Sequence, residues 1–511
     1  MNDRLAVGGW QHCSAKQRFA ARHELGGPRL RSGSPPGETG ERAWRDACGV
    51  IGVYNPEGDV ARLAYFGLYL LQHRGQESAG IAVADGQEIK LHKGMGLVNV
   101  VFDEEQLCQL QGLAAIGHVR YSTTGSTVLA NAQPLLGEFG GGPFALGHNG
   151  NLVNAWLLRE ELQRKGWRFK ATTDTEVIAA LISESGKKDI ESAVAWAMQR
   201  LQGAYSLVIL TKDQVVGVRD PYGVRPLCIG QLPNGRYVLA SETCALSVLP
   251  AQFVRELEPG EIVVIDEHGL REVQGAPLAR KACCIFEFIY FARPDSYIYG
   301  QSLYMARKRM GHVLAREKPA PADLVIPVPE SGAPHAVGYA EASRLPFSDG
   351  LIKNRYILRT FIQPEQQQRN LGVRMKFSPL REAVAGRRVV LVEDSIVRGT
   401  TVSHLVGLVR SGGAKEVHLR IASPPIRYPC FYGIDMDKQE QFIAWQRTVP
   451  DIASKIGADS LGYLSIEGLI EAVGLPRNSF CMACFNNRYP IAIPKDIRVE
   501  KLALEPPPAS G

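Results

Sequence analysis

Apolar positions along the first half of the chain recur with two different periods. After a short apolar run at CGVIGVYN, closed by the turn residues PEG, the stretch LAYFGLYLLQHRG from Leu63 has helical spacing and leads through a polar turn into a strand at GIAVA. Short runs at AAIGHVRYS, FALGHNG, AYSLVIL, QVVGVRD, RYVLAS and EIVVID, many bounded by Gly, Pro or Asn, predict strands. NAWLLREELQRKG and TEVIAALISES return to the helical period. Strands mixed with helical pairs in this way predict a layered α+β domain that ends near residue 280.

The second half has a different grammar. LVIPVP from Leu324 predicts a strand, followed by a polar turn and a helix at APHAVGYAEAS. RRVVLVEDSIVRGTTVSHLVGLVRSGGAKEVHLRIAS then reads as strand, loop, helix, Gly-closed turn and strand, a βαβ unit of a parallel sheet. Residues 281–470 are therefore expected to form a doubly wound α/β domain, which makes the whole chain α/β and α+β. Between the two strand-turn-helix units, NRYILRTFIQPEQQQRNLGVRMKF is polar, Gln-rich and basic; its length marks it as a candidate lid. Residues 471–511 form a C-terminal segment ending in a frayed tail, KLALEPPPASG. Residues 1–47 sustain no apolar period, are broken by GGPRLRSGSPPGETG, and read as a disordered leader.

Composition narrows the classes. A chain of 511 residues holds roughly two to four compact units, and 45% hydrophobic with 22% charged residues is the balance of a globular protein with large cores. The longest uncharged apolar stretches, such as LAYFGLYLLQ, cover about half a bilayer, so no membrane partner is expected. Of the net charge of +6, the leader accounts for half, with eight Lys/Arg against five Asp/Glu. The remainder is too small for a polyanion-binding surface, and nucleic acid is not an expected partner. Ten cysteines are too sparse for a secreted disulfide framework and point to a reducing, cytoplasmic interior.

VVLVEDSIVRGTT carries the most specific chemistry. It places Glu393 and Asp394 at the C-terminal end of a predicted strand, where ligands collect in open parallel sheets and paired carboxylates can hold sugar hydroxyls or a metal ion. The residues that follow, Ser395, Arg398, Gly399, Thr400 and Thr401, open a helix whose free N–H groups and positive dipole end would receive a phosphate. An acidic pair alone would read equally as a solvated turn. The full string resembles the phosphoribosyl-diphosphate (PRPP) loop of type I phosphoribosyltransferases. A second turn, VPESGAP, could cradle a diphosphate with Ser331 near the metal; by itself it is a plain βα loop.

Cys48 inside a chain is an ordinary buried thiol. Cleavage after Ala47 would turn it into a nucleophile with its own base, because a free α-amino group with a pKa of about 8 can take the thiol proton. LQHRGQESAG, GHVRYSTTG, GHNG and TTDTE supply the rest of an amide-hydrolysing site. Arg120 could pair with an α-carboxylate and Asp174 with an α-ammonium. Asn149 and the N–H of Gly150 could form an oxyanion hole. His118 and His148 read as structural neighbours, since the α-amino group already serves as base.

Together CGVIG, LQHRGQESAG, HNG, RDPYGVRPL, FARPDS, KNRY, RTFIQP and VLVEDSIVRGTT, spread over residues 48 to about 490, closely resemble the glutamine phosphoribosylpyrophosphate amidotransferase family. The resemblance implies an N-terminal nucleophile (Ntn) glutaminase domain of αββα sandwich type over 48–280, joined to a type I phosphoribosyltransferase domain. It implies glutamine hydrolysis at Cys48 and passage of ammonia through an internal channel to PRPP, yielding 5-phosphoribosylamine and diphosphate in purine synthesis. Arg120, Asn149, Gly150 and Asp174 match its glutamine site, and Ser331, Glu393 and Asp394 its magnesium-PRPP positions. Lys353, Arg359 and Arg374 match a basic loop that closes over PRPP. A homotetramer inhibited by purine nucleotides is implied as well.

Cys284, Cys430, Cys481 and Cys484 match the branch whose four thiolates hold a 4Fe-4S cluster of structural role; zinc on the same four is the alternative. Cys284 is preferred to Cys283 by the register of CIFE. Two departures stand out. The leader of 47 residues is longer than this branch usually carries, so it is a long propeptide, a transit segment or the product of an upstream start, and Glu393 stands where some relatives have Asp. Two further readings compete: a glutamine amidotransferase acting on another sugar phosphate, and a PRPP-sensing, DNA-binding regulator on a phosphoribosyltransferase-like fold. The PRPP loop argues against the first. The small charge and the lack of a basic helix-turn-helix argue against the second.

Overall fold

The structure is a computed structural model that describes residues 48–354, 376–436, 438–494 and 504–505. These belong to one compact unit, Arg42–Gly511. The leader 1–47, most of the candidate lid with Arg359 and Arg374, and most of the tail lie outside the described residues.

The first half builds two antiparallel sheets laid face to face. The seven-stranded sheet runs in spatial order Gln252–Glu256, Cys228–Gln231, Tyr237–Ala240, Gly49–Tyr54, Ala114–Arg120, Ser78–Ala84, Ile89–Met95. The six-stranded sheet runs Gly269–Gln274, Glu261–Asp266, Val215–Arg219, Gly203–Leu210, Gly142–Leu152, Leu135–Phe139. Side chains alternate across each strand. Val50, Ala82 and Ile116 therefore meet Ala145, Val208 and Val263 between the sheets. Their neighbours Ile51, Ile81 and Val119 turn outward against the helix Val60–Leu70. Leu146, Leu207 and Val264 likewise pack against the helices Asp174–Glu184 and Ile190–Met198. Both faces of every central strand are buried, which is why those strands read as near-continuous apolar runs, and the result is an αββα sandwich.

The second half contains a four-stranded parallel sheet in the order Leu324–Pro327, Arg388–Glu393, Glu416–Ile421, Ser460–Tyr463. Val390 and Val392 face a core shared with the helices Leu303–Glu317 and Ala333–Ser343. Val389 and Leu391 face the opposite way, toward the helices Thr400–Ser411 and Val449–Ile456. Helices on both faces make this the doubly wound layer expected from the βαβ pattern. Pro327 pairs with Val392, so the strands bearing the two candidate turns end side by side at one edge. No helix among the described residues is long and apolar enough to cross a membrane.

Candidate active site

Register places the candidate nucleophile, Cys48. Gly49 lies opposite Val119 and Val50 opposite His118, which brings the turn after Arg120 to Cys48. The Cys48 Sγ donates to the Tyr121 carbonyl at 3.2 Å and accepts from the Tyr121 N–H at 3.4 Å. Neither main-chain partner can take a proton. Burial pushes the thiol up to about 11; the Tyr121 hydrogen bond and the Arg120 charge oppose that rise, while Glu77 and Asp174 add to it. A thiol in this state is not a nucleophile at neutral pH without a base beside it.

Asn149, on the strand Gly142–Leu152, is fully buried, and neither atom of its side-chain amide has a hydrogen-bond partner among the described residues. Leaving such a group unpaired costs about 1–3 kcal/mol, so the position is held for something other than packing. Gly150 follows at φ +150°, and a Cβ there would lie 2.0 Å from the Ala204 carbonyl, so only glycine fits. Arg120, 2% exposed, donates to the carbonyls of Thr124 at 3.0 Å and Ser126 at 3.2 Å and stands 3.9 Å from Glu77. Asp174 begins its helix, accepts from the Leu152 N–H at 3.0 Å and lies 3.8 Å from His148 Nδ1. Burial lowers His118 to about 3 and lowers His148 too; the His118 ring is tied to the His148 carbonyl at 3.0 Å. Burial thus disfavours the charged form of both rings.

Four buried charges behind Cys48 escaped the sequence reading. Arg74 Nε donates to the Cys48 carbonyl at 3.1 Å, and its other nitrogens donate to Glu242 and, at 2.8 and 3.1 Å, to Glu287. Arg225 donates to the same Glu287 at 3.1 Å and to the Tyr432 carbonyl at 3.0 Å. Arg74 and Arg225 sit inside quoted motifs, yet Glu287 lies 213 positions from Arg74, and no spacing rule pairs such residues. A segment from the second half completes this side of the site. Tyr121 Oη donates to Asp435 at 2.6 Å, and Asn151 Nδ2 donates to the Phe431 carbonyl at 3.1 Å. A Cβ on Gly433 would come within 3.1 Å of both Gly150 and Arg225.

At the edge of the parallel sheet, Glu393 ends its strand and accepts from the Asp394 N–H at 3.0 Å, with Ser331 Oγ at 3.5 Å. Burial and then the adjacent Asp394 raise the Glu393 carboxyl well above its usual range. Two carboxylates and a hydroxyl crowded in this way are a donor set suited to a hard divalent cation such as Mg2+. Ser395 Oγ donates to Asp394. Gly399 caps the helix Thr400–Ser411 at φ +84°, a left-handed geometry that a side chain resists, and Arg398 Nε is buried with no partner among the described residues. Thr400 and Thr401 open that helix, and Lys353 stands 3.7 Å from Glu330 in the other turn.

Cys284, Cys430, Cys481 and Cys484 line a single cavity together with Arg225, Tyr432 and Tyr489, and none is in a disulfide. Parallel pairing of Cys283–Cys284 with Phe480–Cys481 sets Cys284 beside Cys481. Cys283 is buried away from this cavity, with Arg219 the foremost charge acting on its thiol. Burial pushes Cys284 up to about 12 and raises the other three thiols. Among the described residues no three such side chains converge as they would on one metal ion. The donors surround the cavity instead.

A glutamine amidotransferase domain model matches residues 118–248. The chain is 54% identical over 465 residues to an amidophosphoribosyltransferase of Synechococcus elongatus, spanning 90% of this chain and 94% of that one. It is 51% identical over 454 residues to one of Archaeoglobus fulgidus, spanning 88% and 98%. Among solved structures, the glutamine PRPP amidotransferase of B. subtilis complexed with ADP and GMP superposes with a TM-score of 0.84 at 46% identity, covering 88% of this chain and 99% of that one. At this identity and coverage, the chain belongs to the amidophosphoribosyltransferase family.

Proposed function

We propose that this enzyme hydrolyses glutamine at Cys48 and delivers the ammonia to PRPP, forming 5-phosphoribosylamine and diphosphate in the first committed step of purine biosynthesis. One observation carries the reading: the segment 430–436 of the phosphoribosyltransferase half forms a wall of the glutaminase site, through Tyr121–Asp435 and Asn151–Phe431. Ammonia is protonated and lost in water, so a glutaminase is useful to a distant acceptor only when the two sites are joined and closed. With Ala47 removed, the α-amino group of Cys48 takes the thiol proton that no side chain among the described residues is placed to take. The thiolate attacks the carboxamide carbon, Asn149 and the Gly150 N–H stabilise the oxyanion, and the protonated amine returns its proton to the departing ammonia. Water then hydrolyses the thioester. Arg120 pairs with the substrate's α-carboxylate and Asp174 with its α-ammonium.

In the second site Ser331, Glu393 and Asp394 would hold Mg2+, which would supply charge neutralisation for the leaving diphosphate. The amides of 395–401 would receive the 5-phosphate, and Lys353 with Arg359 would complete the cover. A 4Fe-4S cluster on Cys284, Cys430, Cys481 and Cys484 suits four thiols spread around a cavity better than zinc, which draws its sulfurs close. A cytoplasmic homotetramer with purine nucleotide feedback completes the proposal; the B. subtilis relative's complex with ADP and GMP supports the nucleotides. A PRPP-sensing regulator would have no use for Asn149's unpaired amide. Cys48→Ala should abolish glutamine-dependent product formation and leave ammonia-dependent formation intact. Loss of both in folded protein would overturn this division of labour, and an active enzyme whose N-terminus is not Cys48 would overturn the mechanism.

A further inference from the structure

Leu504 and Glu505 return to the first half of the chain. Leu504, 6% exposed, is seated in the core that the helices Ala155–Arg164 and Asp174–Glu184 share. This anchor holds Glu505 against the loop that follows Arg120. Its Oε1 accepts from the Ser126 N–H at 2.9 Å and from Thr172 Oγ1 at 2.6 Å. Ser126 is the crossing point of the loop, because its carbonyl accepts from Arg120 at 3.2 Å and from Asn131 Nδ2 at 2.8 Å. Asn131 in turn bonds Thr172 twice, at 2.9 Å each. The loop is packed tightly onto that strut: a Cβ on Gly125 would lie 2.5 Å from the Thr172 carbonyl. Farther along, Thr124 lends its carbonyl to Arg120 and its hydroxyl to Asn151 at 2.7 Å, one residue from Gly150.

We propose that Glu505 is a positioning residue of the glutamine site, pinning the loop 123–127 to Thr172 so that its carbonyls hold the Arg120 guanidinium ready for the substrate's α-carboxylate. The inference rests on Arg120 being that carboxylate's partner. Without the pin the loop and Arg120 would have to be ordered by glutamine itself, and that ordering cost would be drawn from glutamine affinity. Both bonds end on one acceptor oxygen, which an amide can also supply, while the Arg159 charge acts on the carboxylate separately from these bonds.

The test uses the full chain with Glu505→Ala, Glu505→Gln and, as a reference, Arg120→Lys, each assayed with glutamine and with ammonia. Loss of two hydrogen bonds in Glu505→Ala should raise the glutamine KM about tenfold with kcat changed less than about twofold. Glu505→Gln keeps an acceptor oxygen and should stay near the parent. The ammonia-dependent rate and the PRPP KM should not move in either. An unchanged glutamine KM in Glu505→Ala, alongside a raised one in Arg120→Lys, overturns the pin. An unchanged KM in Arg120→Lys overturns the reading of Arg120 and the pin with it. Equal losses with glutamine and ammonia in Glu505→Ala would mark a general structural role and also overturn the pin.

Discussion

His118 and His335 are fully buried, and burial lowers both to about 3, so the folded protein holds them neutral where the unfolded chain would charge them below about 6.5. The unfolded state therefore binds more protons between pH 3 and 6.5, and stability is lost as pH falls through that window. Asp220 has the opposite sign: burial raises it from 3.8 to about 6, so the folded state gains relative stability on acidification between those values. Burial also lowers His148 and His418 and raises Glu256 and Glu393, so the full slope sums both signs. The share carried by His118 and His335 should make the urea midpoint fall from about pH 6.5 toward 5. His335→Gln, which can still donate to the Ser331 carbonyl, should flatten part of that fall; equal slopes in parent and variant would contradict the assignment. At this scale Cys48, Asn149 and Glu393 were legible because each lies in a short string whose order has a chemical meaning. Glu505 was not: in LALEPPPASG nothing marks a carboxylate that bonds a peptide 379 positions away.

Elements were legible where burial is two-sided. Gly203–Leu210 and Arg388–Glu393 are buried nearly throughout and read as apolar runs. Ile89–Met95 and Gln252–Glu256, which are half-buried or exposed at sheet edges, lack that signal, and the reading missed them. The helix Leu303–Glu317 was missed as well, its apolar residues being diluted by Arg and Lys along LYMARKRMGHVLARE. The loop-to-helix junction at Gly399 was legible, and the structure shows what the glycine does there. Its φ is +84°, and a Cβ would lie 2.2 Å from Cδ1 of the buried Ile443. Gly399→Ala should shift the start of the helix Thr400–Ser411, costing about 1–2 kcal/mol from the backbone alone. PRPP-dependent synthesis should fall strongly with either nitrogen donor, while glutamine hydrolysis in the absence of PRPP persists. An unchanged KM for PRPP would show that the phosphate does not bind this turn.

At the scale of the molecule, the two halves could be read from sequence, but the way they are joined could not, since it depends on charges that meet only in three dimensions. Arg74 and Arg225 share Glu287, Arg74 also holds Glu242, and the four buried charges sum to zero. Glu287→Gln leaves two buried guanidiniums facing one carboxylate. Breaking such a network by removing one partner costs about 3–5 kcal/mol, so the thermal midpoint should drop markedly. Because Arg74 holds the Cys48 carbonyl and Arg225 holds the Tyr432 carbonyl beside the four thiols, the glutamine-dependent rate should fall further than the ammonia-dependent one. Adding Arg225→Met restores neutrality by leaving Arg74 paired with Glu242. The double variant should therefore regain stability over Glu287→Gln alone, a coupling that a thermal double-mutant cycle reads directly. Strict additivity would mean that Glu287 and Arg225 do not act as one unit. Recovery of stability without recovery of the glutamine-dependent rate would separate the network's structural part from its hold on the Tyr432 carbonyl, which Arg225 makes and Met cannot.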